Sequence, residues 1–231
     1  MTVTPEFIRS INESLYKEIV ETNAYQVFPG EISGKVVWDI GANRGVFSLH
    51  CSNLGAKKIF AVEAQPETFN EHLKKNTAGI DCITPLNFAV TDKTGDVVRL
   101  SNTDDHSSLY AELDKGLGQE VSTISLADLT KDYNETDMAL KMDIEGAEYD
   151  ILMNVDRETL RKFSVIYMEI HGAFHPKYKK SESLFPVLEG LGFKKVHEVH
   201  MWIFNEYPDG RRILSHRHPD DIITVKYVRV D

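Results

Sequence analysis

Val36-Val37-Trp38-Asp39-Ile40-Gly41-Ala42-Asn43-Arg44-Gly45 is an apolar run that ends in an acid and passes into a glycine-rich turn. The helix-like segment Val46-Phe47-Ser48-Leu49-His50 follows at once. A strand, a tight loop and a helix in this order form the first unit of a nucleotide-binding α/β sheet. Glycine lets the backbone approach a ligand with no Cβ in the way. The dinucleotide fingerprint reads G-x-G-x-x-G, and here Asn43 stands where its second glycine would be. That glycine serves the pyrophosphate, so the loop points to a nucleoside ligand without phosphates, with S-adenosylmethionine as the candidate.

The next apolar run, Lys58-Ile59-Phe60-Ala61-Val62-Glu63, also ends in an acid. Glu63 lies about twenty residues beyond the glycines, where such folds carry the carboxylate that holds the ribose hydroxyls. The alternative for Glu63 is a solvated acid at a strand end; the loop and the acid occurring together favour the ribose.

Further strand-like runs are Cys82–Ala89, Met138–Asp143, Val165–Ile170 and Lys194–Val199, with helical patterns at Pro66–Asn76, Glu145–Val155 and Ser181–Leu191 between them. Strands alternating with helices imply a parallel sheet with helices on both faces. Val97–Leu100 and Val121–Ile124 read as two short added strands around a polar loop. Met201–Phe204 and Ile222–Val228 are strand-like with no helix between them, so an antiparallel hairpin is expected to finish the sheet. Phe7, Ile8, Ile11, Leu15, Ile19 and Val20 fall near one face of an amphipathic helix from about Pro5 to Tyr25. That helix packs on the sheet or covers the ligand pocket.

The chain has 231 residues, which suits one α/β domain: a helical extension over 1–30 and a core over 36–231. Its net charge of −10 disfavours a nucleic-acid partner. Cys51 and Cys82 are too few for a disulfide framework and fit a reducing compartment. No apolar run approaches the ~20 residues of a membrane span. The first residues lack the basic-then-apolar order of a signal peptide, so the cytoplasm is the expected location. Nothing in the sequence fixes the oligomeric state, a homodimer included.

In an open α/β sheet ligands bind at the carboxyl ends of the strands. Four expected strands end in Asp39, Glu63, Asp143 and the pair Glu169 and His171. Leu140-Lys141-Met142-Asp143-Ile144-Glu145-Gly146-Ala147-Glu148 puts three acids around a glycine before a helix. Asp143 either caps that helix or faces a reacting group; Glu145 and Glu148 would complement the helix dipole.

Asp39 to Gly45, Val62-Glu63-Ala64 with Pro66, and Lys141 to Glu148 together resemble the FkbM family of S-adenosylmethionine-dependent methyltransferases. His106-Ser107-Ser108-Leu109, Leu126-Ala127-Asp128-Leu129 and Glu169-Ile170-His171 are similar to that family's pattern as well. The resemblance runs from about Val36 to His171 and implies a class I methyltransferase fold, a Rossmann-like, mostly parallel seven-stranded sheet. It implies O-methylation of a hydroxyl on a small molecule such as a sugar or natural product. It places Asp39, Gly41, Ala42, Asn43 and Gly45 at the methionine end of the cofactor, Glu63 on the ribose and Ala64, Phe88 and Ala89 around the adenine. Ser108 joins the cofactor set, and Asp143 sits near the methyl group.

A sulfonium is already activated, so catalysis is mostly in-line positioning. An alkyl hydroxyl needs a general base, and His171 is the leading candidate because imidazole titrates near neutral pH. It reads equally as a capping or core histidine; His175 and His106 are weaker candidates. Asp143, Glu169 and His171 also offer donors for magnesium or a transition ion, though in no recognised metal spacing. Arg211, Arg212, His216, Arg217 and His218 form either a solvated hairpin tip or a clamp for an acidic substrate. Competing readings are an N- or nucleic-acid methyltransferase, which lacks here its Asn/Asp-Pro-Pro-aromatic tetrad, a nicotinamide-dependent oxidoreductase, and a non-catalytic partner on the same fold.

Overall fold

The run that opens the core, Val36–Ile40, is strand β1, and all five of its residues are buried. This is what a parallel strand covered on both faces requires. The computed structural model describes residues 3–100, 118–172, 177, 180–200, 202–206, 212–217 and 222–230. Within them the other strands are β2 (Lys58–Val62), β3 (Ile83–Leu86), β4 (Ala89–Thr91), β5 (Val97–Leu100), β6 (Gln119–Ser125) and β7 (Met138–Met142). They continue with β8 (Phe163–His171), β9 (Phe193–His200), β10 (Trp202–Glu206), β11 (Arg212–Arg217) and β12 (Ile222–Arg229).

Seven strands form one sheet in the order β3-β2-β1-β7-β8-β12-β9. The pairs from β3 through β8 are parallel, and β12 runs antiparallel between β8 and β9. The order reverses between β1 and β7, and a crevice opens at such a switch point. Trp38, Ile40, Phe60, Leu140, Met142, Ile166 and Met168 face one core, closed by the helices Glu148–Asn154, Arg157–Arg161 and Phe185–Gly190. Val37, Ile59, Ala61, Ala139, Val165 and Tyr167 face the other, closed by Val46–Asn53 and the segment 5–32. The alternation along each strand follows from its two-residue period.

The antiparallel ending is present but is made by β9 and β12 rather than by the two last runs read from sequence. β10 pairs instead with β11, its neighbour in the chain, as a separate two-stranded ribbon. The expected strand Cys82–Ala89 is two: β3 keeps Pro85 on the sheet edge, where a missing donor is tolerated, and β4 leaves to join β6 and β5 in a three-stranded sheet. The expected helix over Pro5–Tyr25 breaks at Asn12, whose backbone is extended and whose side chain accepts from Leu15 N at 3.0 Å. An asparagine that bonds the backbone locally restarts a helix rather than continuing it. Pro5–Ile11, Glu13–Tyr16 and a π-helical turn Lys17–Glu21 result.

Candidate active site

The loop after β1 turns through three left-handed residues, Gly41, Asn43 and Gly45. Gly41 and Ala42 N–H groups both donate to Val62 O at 2.9 Å, which ties the loop to the end of β2. A Cβ at Gly41 would stand 1.8 Å from the Asp143 carbonyl oxygen, so only glycine lets β1 and β7 open into the crevice this closely. Asn43, at φ 48°, is one of the few side chains that accept this conformation.

A cavity of about 350 Å³ lies there, at the carboxyl ends of β1, β2 and β7. Gly41, Ala42, Asn43, Glu63, Ala64, Phe88, Ala89 and Asp143 all line it, as their placement in the sequence leads one to expect. Leu15 and Ile19 of the N-terminal segment close it from outside the sheet. Asp39 and Gly45 are not on its wall. Asp39 is fully buried behind the loop, accepting from Ser48 Oγ at 2.6 Å, and Gly45 packs toward Leu73. Ser108, His106 and His175 lie outside the described residues, as do Arg211 and His218 of the basic loop.

Glu63 ends β2 with its carboxylate held on both oxygens. Asn43 N donates to Oε2 and Gln65 N to Oε1, each at 2.8 Å. Burial raises its pKa, against these two amide bonds and the Lys141 charge. Asn87 Nδ2 bonds the carbonyls of Glu63 and Ala64 and fixes the strand end.

Asp143 follows β7 directly. Lys141 Nζ lies 3.3 Å from its Oδ2, and Tyr25 OH donates to the same oxygen at 3.3 Å. Burial works to raise its pKa, but Lys141 and His171 prevail and hold it below the usual carboxylate range. Lys141, buried in an otherwise apolar strand, also donates to Gly41 O at 2.7 Å and lies 3.6 Å from Asp39. A lysine in a buried strand requires such partners, and its place in the apolar run Met138–Met142 already signals them.

Asp143 does not cap the next helix. Glu145 and Gly146 take φ of 57° and 104°, and the helix starts only at Glu148. Glu148, fully buried, turns back and accepts from Ile144 N and Gly146 N at 2.9 Å each. Its Oε1 also meets His171 Nδ1 at 3.2 Å. The other ring nitrogen of His171 faces Glu145 Oε2 at 3.5 Å and Asp143 Oδ1 at 3.9 Å. Burial disfavours the charged imidazole, yet the Glu148 hydrogen bond and the charges of Glu148, Glu145 and Glu169 push His171 up to about 10. The surrounding acids thus favour the charged imidazole at the position where the sequence leads one to expect a general base. Glu169 moves the other way for an acid: burial, then Asp143, push it up to about 8, with Glu18 and Glu145 adding to the rise against the pull of His171.

The donor group that comes together is Asp143, Glu145 and His171, with ligand atoms within 4.8 Å of one another; Glu169, expected in that set, is outside it. A nitrogen ligand must be unprotonated, so an ion bound here would displace the proton that Glu148 and Glu145 favour on His171.

A seven-stranded sheet in this order, with its cavity at the switch point, defines the class I methyltransferase fold. The methyltransferase FkbM domain matches residues 39–207, and the chain belongs to that family. The hexuronic acid methyltransferase AglP of Haloferax volcanii is 24% identical over 143 residues, 62% of this chain and 58% of that protein. Protein arginine N-methyltransferase 6 of Danio rerio is 46% identical over 59 residues, 24% of this chain and 17% of that protein. The matched regions thus span 58% and 17% of the length of these relatives. The crystal structure of precorrin-6y C5,15-methyltransferase from Geobacter metallireducens shares the fold, with a TM-score of 0.51 at 15% identity over 93% of this chain and 92% of that one. No helix among the described residues is long and apolar enough to cross a membrane.

Proposed function

We propose that the chain transfers the methyl group of S-adenosylmethionine to a hydroxyl of a sugar or related small molecule. The observation that carries the reading is Glu63, a buried carboxylate on the cavity wall, held in place by two wall amides and free in its remaining lone pairs to accept from a ribose diol. The cavity is of ligand size. The likeness to the hexuronic acid methyltransferase AglP supports a sugar acceptor.

In this reading the hydroxyl oxygen attacks the methyl carbon in line, the C–S bond breaks, and S-adenosylhomocysteine leaves. Asp143, kept ionised by Lys141 and Tyr25, orients the hydroxyl. The proton goes to a carboxylate rather than to His171. Glu169, near the end of β8 and raised to about 8 by burial and by the charge of Asp143, is the proton acceptor. His171, braced by Glu148, steadies Asp143 and Glu145.

Calorimetric titration with S-adenosylmethionine, S-adenosylhomocysteine and NADH, on the wild type and on Glu63→Ala, tests the cofactor. The first two should bind the wild type and lose at least tenfold in affinity with the variant, about the worth of a hydrogen-bonded charge. Binding of NADH alone would discard methyl transfer in favour of oxidoreduction. Transfer of labelled methyl to glucuronate, galacturonate and neutral glycosides then tests the acceptor.

A further inference from the structure

Gln65 lies on the cavity wall two residues past Glu63, and only 6% of it is exposed. Its backbone N–H is committed to Glu63 Oε1. Its side-chain carbonyl oxygen is buried and has no hydrogen-bond partner among the described residues. A buried acceptor left unpaired costs free energy of the order of 1–3 kcal/mol, and such an orphan in a native site calls for a missing donor. Gln65 is the residue before Pro66, which opens the next helix, and proline restricts the backbone of the residue before it.

The wall has an apolar part alongside the polar Glu67, Thr68 and His72. Ala64, Phe88, Ala89, Val90 and Leu100 line the same cavity and supply surface for a flat ring, while Glu63 stands next to them for a sugar diol. The group missing beside Gln65 is therefore a donor on the edge of a heterocycle attached to that sugar. Adenine presents one such donor, its exocyclic amine; hypoxanthine presents a carbonyl oxygen at that position.

Resting on the methyl-transfer reading, we infer that Gln65 determines base specificity: its carbonyl oxygen accepts from the 6-amino group of the cofactor's purine. It acts on the cofactor alone and has no part in the acceptor chemistry.

The experiment compares S-adenosylhomocysteine with S-inosylhomocysteine by calorimetry, so that a preference is read within one protein and is independent of a uniform loss of stability. The wild type should favour the adenine compound about tenfold, the value of one net hydrogen bond. Gln65→Leu should bind both compounds equally. Gln65→Glu, which accepts but cannot donate when ionised, should keep or widen the preference. A preference that survives in Gln65→Leu, or a wild type that shows none, overturns the assignment while leaving the cofactor reading intact. Failure of the wild type to bind either compound overturns both.

Discussion

Glu148 Oε1 and His171 Nδ1, 23 residues apart, meet at 3.2 Å in a region from which water is excluded. The same carboxylate closes the turn that carries Asp143 and Glu145, so one side chain fixes both the loop and the ring behind it. His171 binds its extra proton more tightly in the folded protein than in the unfolded chain, with a pKa of about 10 against 6.5. The stability this supplies is fully present below pH 6.5 and is lost as pH rises toward 10. Urea unfolding should show this fall in the wild type and a flatter profile in Glu148→Gln, which also loses about 3–5 kcal/mol by leaving its partners unmatched. Nitrogen NMR shifts of the His171 ring should report a doubly protonated imidazole at pH 8; a neutral ring there would refute the assignment.

Gly41→Ala tests the switch point. The new Cβ would enter the Asp143 carbonyl at 1.8 Å, on a backbone of φ 79°. Relief requires β1 and β7 to part at their ends, so a loss of about 3 kcal/mol or more is expected. Cofactor affinity should fall with it, because Asn43 and Asp143 both move. Unchanged melting and binding would show that the crevice tolerates a wider opening.

The strand and acid pattern made the sheet and much of the cavity wall legible. Buried parallel strands read as apolar runs, and Asp39, Glu63 and Asp143 each mark a strand end. What stayed hidden depended on long-range partners. Glu148 reads as a helix-dipole acid until the fold brings His171 to it, and the same contact favours the charged form of that ring. Tyr25 sits 118 residues from the Asp143 it bonds. The pairing of β12 between β8 and β9 was out of reach for the same reason: periodicity tells that a segment is a strand, not which neighbour it takes.

Lys226→Met tests how the N-terminal segment is held over the cavity. Lys226 is buried, donates to Gln26 O at 2.8 Å, pairs with Glu31 at 2.5 Å and stands over the Phe28 ring. Tyr167 OH donates to Glu31 and His197 Nε2 contacts Ala24 O, so the segment has several anchors. The substitution should cost about 3 kcal/mol, the low end for breaking a buried pair with a partly exposed partner. Amide exchange should quicken over residues 24–32 before it does in β1. Protection equal to that of the wild type would assign the hold to Tyr167 and His197 alone.

Chelation tests whether an ion joins Asp143, Glu145 and His171, whose ligand atoms lie within 4.8 Å of one another; cofactor binding and turnover should be unchanged where the imidazole keeps its second proton. A divalent ion would have to expel that proton first. Paramagnetic resonance of added manganese at pH 7.5 gives the contrary result its form: a bound signal that disappears in Glu145→Gln would establish a metal site.

Glu169→Gln separates catalysis from stability. The carboxyl is raised from 4.5 to about 8. As the base it must be ionised, so turnover on the acceptor found by the sugar screen should climb with pH and level off above about 8. The glutamine variant should lose about 10²–10⁴ in rate and lose that rise. A raised carboxyl also favours the folded state only while protonated: its contribution is whole below pH 4.5 and lost as pH climbs through 8. Glu169→Gln should therefore be more stable than the wild type above pH 8 while turning over far more slowly. A variant that loses rate and stability together at that pH would make Glu169 a structural residue and return the proton to Asp143.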